Sequence, residues 1–92
     1  MATAGIWWQG SKAEVDNNPG NGAAAWIWLY SAGGEGSTVQ YRTYDGAWGI
    51  NLYTRAGTST SWNLGRDVWA FRLCNHPDAA HQVYDCSGWV YF

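Results

Sequence analysis

Apolar residues recur along this chain at every second position, and no window long enough for a helix carries a 3.6-residue period. The pattern therefore predicts strands and almost no helix. "GIWWQG" is the first apolar stretch, and in "KAEVD" Ala13 and Val15 alternate with Lys12, Glu14 and Asp16. The Asn, Pro and Gly of "NNPGNG" predict a turn. Next comes "AAAWIWLYS", in which Ala24, Trp26, Trp28 and Tyr30 share one face and Ala25, Ile27 and Leu29 share the other. With both faces apolar, this strand is expected to be central, either covered on each side or presenting an aromatic face to a ligand. "TVQYRTY" follows a Gly-rich break, with Val39, Tyr41 and Thr43 opposite Gln40, Arg42 and Tyr44. Asp45-Gly46 is the strongest short hairpin signal, because a type I′ turn needs positive φ at both central positions. It leads into "AWGINLYTR"; "AGTSTSWNLG" reads as a loop, and "DVWAFRLC" and "CSGWVYF" form the last strand pair. About seven short strands with frequent turn signals predict one antiparallel β-sandwich of the immunoglobulin or fibronectin type over residues 1–92.

Ninety-two residues make one domain with a small core. Into it must fit 8 Trp, 6 Tyr and 2 Phe, more rings than such a core holds, so some are expected on the surface, where aromatics are enriched at recognition sites. Trp7, Trp8, Trp26, Trp28 and Tyr30 are the favoured candidates, with Trp62 beside "TSTS" a further one. A surface this rich in rings is also expected to self-associate. Net charge is −2, with Lys12 and four scattered Arg, so the basic stripe that neutralises a phosphate backbone is missing and nucleic acid is not an expected partner. No apolar run reaches the length of a membrane span, and "MATAGIWW" lacks the parts of a signal peptide, as expected for a mature chain given an added Met1.

"CNHPDAAHQVYDC" gathers both cysteines and both histidines. If Cys74 faces Cys86 across a hairpin, one antiparallel register pairs Phe71 with Trp89 and Trp69 with Tyr91. A disulfide is the favoured reading, with His76 and His81 at an exposed loop tip where they could touch a partner. Two weaker alternatives stand beside it. The set Cys74, His76, His81 and Cys86 has metal-ligand types, though its spacing matches no familiar zinc pattern. A free thiol could recruit His76 and Asp85, but proximity in sequence is not triad geometry. "DNNPGNG" starts like a calcium loop, yet Gly20 and Ile27 stand where oxygen ligands belong. Asp45 and Asp67 have no spacing that argues for a glycosidase pair. No catalytic residue, metal or cofactor is expected.

From "VDNNPGNGAAAWIWL" through "GTSTSWNLGRDVWAFRLC" to "CSGWV", the chain resembles a group of small secreted proteins of uncharacterised function from Streptomyces and related actinobacteria. F-R-x-C followed by C-S-x-W-V is the most specific part. The resemblance implies secretion, an all-β sandwich and a bridge between Cys74 and Cys86, and it transfers no catalytic residue. The expectation is a secreted noncatalytic module that binds another extracellular protein, as adaptor, inhibitor or subunit of an assembly. An unpaired edge strand at "GIWWQG" could join the partner's sheet. The alternatives are a carbohydrate-binding module, with exposed Trp and Tyr holding a polysaccharide, and a small secreted antagonistic toxin.

Overall fold

The computed structural model describes residues 3–32, 34–47, 50–75 and 84–92. They form nine strands and no helix: β1 (Thr3–Trp8), β2 (Ser11–Asp16), β3 (Ala25–Tyr30), β4 (Ser37–Thr43), β5 (Ile50–Thr54), β6 (Ser59–Leu64), β7 (Val68–Asn75), β8 (Tyr84–Cys86) and β9 (Val90–Tyr91). One sheet runs β1-β2-β3-β6, and the other runs β5-β4-β7-β8, with β9 beside β7 on the same edge as β8. Every pairing is antiparallel. The chain crosses between the sheets after β3, β5 and β6, leaving β3 beside β6 and β4 beside β7, the Greek-key connection of a β-sandwich.

Alternation explains which side chains meet between the sheets. Ala13, Val15, Ala25, Ile27 and Leu29 from the first sheet, with Val39, Phe71 and Leu73 from the second, are completely buried. Fully burying each of the larger ones contributes roughly 1.5–3 kcal/mol. Phe92 tilts against Phe71 with ring centroids 5.9 Å apart and closes the core at the C-terminus.

Polar groups close one end of the sandwich. Ser37 Oγ lies 2.9 Å from Ser31 Oγ and 2.6 Å from Asn75 Oδ1, Ser11 Oγ donates to Asn75 Oδ1 at 3.0 Å, and the Ala32 amide donates to Ser11 Oγ at 3.0 Å. Ser11, Ser31 and Ser37 are all buried, so each hydroxyl needs these partners to offset the loss of water.

Four details differ from the sequence expectation. The type I′ turn lies at Gln9-Gly10, with φ of 52° and 85°, joining Trp8 to Ser11. At Asp45-Gly46 only the glycine has positive φ, 98°, and Gly46 N–H donates to Thr43 O, as in a type I turn that ends in a left-handed glycine. Residues 59–64, expected in a loop, form β6: Trp62 and Leu64 face the core while Ser59, Ser61 and Asn63 face out, a pattern whose small polar outer residues concealed the strand.

The last hairpin slips by one residue. Cys74 faces Cys86 as expected, but Phe71 faces Val90 and Ala70 faces Tyr91. Ser87 causes the slip. Its N–H donates to Leu73 O at 2.8 Å while its Oγ accepts from Leu73 N–H at 3.1 Å, so a hydroxyl takes a carbonyl's place in the ladder. Gly88 and Trp89 are then left out of the pairing, and Val90 takes the place opposite Phe71 expected for Trp89 and packs against the core.

Candidate functional site

Strand β3 is central in its sheet, so its outward residues are fenced on both sides. The register sets Trp7, Lys12, Tyr30 and Ser59 in one row, Gly5, Glu14, Trp28 and Ser61 in the next, and Asp16, Trp26 and Asn63 in the third. Trp26, Trp28 and Tyr30 are half-buried and form a continuous aromatic line along the middle of the face. The Trp28 and Tyr30 rings are near-parallel, 12° apart in plane with centroids at 6.4 Å, so they offer one common orientation to a ligand. Hydroxyl and amide side chains border the line on one flank and charged ones on the other.

That charged flank is ordered. Lys12 Nζ sits 2.9 Å from Glu14 Oε1 and 4.8 Å from the centroid of the Trp7 ring. Trp7, at the sheet edge, is 68% exposed. Because Gly5 presents no side chain opposite Glu14, an open notch of about 470 Å³ lies between Thr3 and Trp7, walled by Lys12 and Glu14.

Of the aromatic residues singled out from the sequence, the fold brings Trp7, Trp26, Trp28 and Tyr30 onto this face and turns two away. Trp8 alternates inward, packs against the core, and donates its indole N–H to the Asp85 carbonyl. Trp62, opposite Ile27, also packs against the core. Cys74 and Cys86 are bonded to each other, so neither sulfur is a thiolate for a metal or a nucleophile. His76 and His81 lie outside the described residues. Among the described residues no three His, Cys, Asp or Glu gather around a common point. Asp16 Oδ1 accepts from Asn18 N–H and Asn21 Oδ1 from Ala23 N–H, so in the calcium-like stretch these oxygens hold a turn.

Cys74, Arg72 and Ala70 of β7 lie on the outer face of the second sheet beside Thr38, Gln40 and Arg42 of β4, and apart from the cysteine none of them is a candidate from the sequence. There Trp89 lies against Arg42 and Arg72, whose guanidinium carbons stand 4.4 Å and 5.0 Å from its ring centroid. Trp69 meets Tyr91 edge-on at 5.1 Å, and Tyr44 is 60% exposed nearby. The pairing expected from the sequence gives Trp89 no place on this face, and the Ser87-Gly88 pair, a strand breaker, is the available signal that it leaves the ladder. Beside this cluster the Thr43 hydroxyl donates to Asp45, and this bond, helped by Arg66 Nε at 3.2 Å, holds the Asp45 carboxyl below its ordinary value of 3.8.

No helix among the described residues is long and apolar enough to cross a membrane. Comparisons of the chain with protein-family models, with curated proteins and with solved structures find no match.

Proposed function

We propose that the protein is a secreted, noncatalytic carbohydrate-binding module that holds a neutral glycan on the outer face of its first sheet. The observation that carries this reading is the row of Trp26, Trp28 and Tyr30, set between Ser59, Ser61 and Asn63 on one side and Lys12, Glu14 and Asp16 on the other. Sugar rings have apolar faces that stack on aromatics and hydroxyl edges that need donors and acceptors, and this face alternates the two. The disulfide supports the extracellular setting.

The test is a titration of the oxidised protein with cellohexaose, xylohexaose and chitohexaose, read by tryptophan fluorescence. At least one should shift the emission, and Trp28→Ala should weaken it about tenfold, the worth of one well-packed ring contact. No response to any of the three, or equal binding by the variant, overturns the reading.

A separate observation favours protein binding by strand addition as a second reading: among the described residues β1 is an edge strand, paired only with β2. Deleting β1 would not test it cleanly, because Ile6 belongs to the core and Trp8 is tied to Asp85. Single prolines at Ala4 and Gly5 would, since one of these adjacent N–H groups points away from β2. The proline that spares the fold should abolish capture of the partner; undiminished capture removes strand addition.

A further inference from the structure

The two outer faces differ in charge. The first carries Glu14 and Asp16 against Lys12, whereas the second carries Arg42 and Arg72, with no carboxylate in the rows formed by Thr38, Gln40 and Arg42 with Cys74, Arg72 and Ala70. In a chain of net charge −2, the second face is thus a cationic surface. Both guanidinium groups lean on one indole, Trp89, which the slipped register takes out of the ladder. Arg72 Nε also donates to Gln40 Oε1 at 2.7 Å, so this side chain is held by two neutral partners.

Alongside Arg42 an open cleft of about 510 Å³ runs to Trp69, lined by Thr43, Tyr44, Gly46 and Ala47. Its volume is that of a small-molecule site rather than a groove for a folded partner. Tyr44 and Trp69 offer exposed ring surface, and Gly46 and Ala47 add little bulk to the lining. A guanidinium held against an indole face still presents its in-plane N–H fork, which matches a planar carboxylate. The cleft therefore combines a ring-stacking wall with a carboxylate-reading cation.

We propose that this is a second binding site, which takes a hexuronate residue of an acidic glycan: the sugar ring lies against Tyr44 and Trp69, and its carboxylate pairs with Arg42, which lines the cleft, and with Arg72, which lies outside the lining but leans on the same Trp89 indole. The choice of a sugar acid rests on the carbohydrate reading above, whereas the anion site rests on the second face alone. A polyanion is kept from the first face by Glu14 and Asp16, so neutral and acidic segments would occupy opposite sides of the sandwich.

The experiment is calorimetric titration of the oxidised full chain with trigalacturonate, its methyl ester and acetate, at 20 mM and 300 mM NaCl. Trigalacturonate should bind, weaken at the higher salt, and exceed both the ester and acetate at least about tenfold, since the ester lacks the charge and acetate lacks the ring. Arg42→Gln and Arg72→Gln should each weaken it about tenfold, and Trp28→Ala should leave it unchanged. Arg72→Gln changes a side chain whose partners lie on the surface, so it serves even if Arg42→Gln does not fold. Absence of trigalacturonate binding, equal affinity for the ester or for acetate, or indifference to Arg72→Gln overturns the proposal. Neutral oligosaccharides that still bind through Trp28 would confine the failure to this site. Arginine-dependent binding of trigalacturonate without any neutral ligand would instead retire the first-face reading.

Discussion

Asn17 shows one side chain standing in for a strand. Its Nδ2 donates to Val68 O at 2.8 Å and its Oδ1 accepts from Val68 N–H at 2.8 Å, so the carboxamide reproduces the donor-acceptor pair of a peptide unit across the gap between the sheets. Val68 is completely buried, and without Asn17 both its backbone groups would lose these partners away from water. Asn17→Ala should therefore cost about 2–3 kcal/mol in urea unfolding, more than the usual net worth of two hydrogen bonds, because buried groups are left unsatisfied. A change below about 0.5 kcal/mol would mean that water replaces the amide at no cost. The sequence reading placed this asparagine in a turn and had no means of giving it a partner 51 positions away.

Among the elements, the C-terminal hairpin carries the staple. Cys74 and Cys86 are separated by 12 positions, and a loop of that size corresponds to about 3 kcal/mol on the chain-entropy model. The bridge also fixes the neighbouring Asp85, whose carbonyl receives the Trp8 indole N–H, and so connects the last hairpin to the first. Replacing both cysteines by serine should lower the urea midpoint by an amount equivalent to about 2–4 kcal/mol and change the Trp8 indole proton resonance. An unchanged midpoint would show that the ladder alone holds the hairpin. Alternation made β2, β3, β4 and β7 readable, since each has apolar residues on at least one consistent face. It did not reveal β6, whose inward Thr60, Trp62 and Leu64 alternate with Ser and Asn in a stretch of turn-like composition. Nor did it reveal the slip at Ser87, where a side-chain hydroxyl enters the backbone ladder.

For the molecule as a whole, pH acts at both limits. The Thr43 hydrogen bond, with Arg66 beside it, depresses the Asp45 pKa, so its contribution is present above 3.8 and is lost as pH falls through the lower folded value. Tyr41 is the opposite case. Burial raises its phenol above 10.0, against a smaller lowering by Arg66. Past that pH the unfolded chain ionises first, so folding stability declines as pH rises. Melting temperature against pH should lose part of its acid limb in Asp45→Asn and part of its alkaline limb in Tyr41→Phe. A Tyr41→Phe profile parallel to the parent above pH 10 would show that other groups set that limb.

Legible from the chain alone were the strand class, the pairing of Cys74 with Cys86 and the two-sided character of β3, because period-two alternation and short-range closure are local properties of the chain. Which rings face out together is set by strand pairing. Trp8 and Trp62 satisfy the same composition argument as Trp28, yet each lies on the inward phase of its strand and packs against the core. Trp89 was expected opposite Phe71, and one extra residue in the last strand set it against two arginines instead. The physical reason is common to all three: with a side-chain period of two, a shift of one residue exchanges inside for outside, and what fixes that phase is the partner strand.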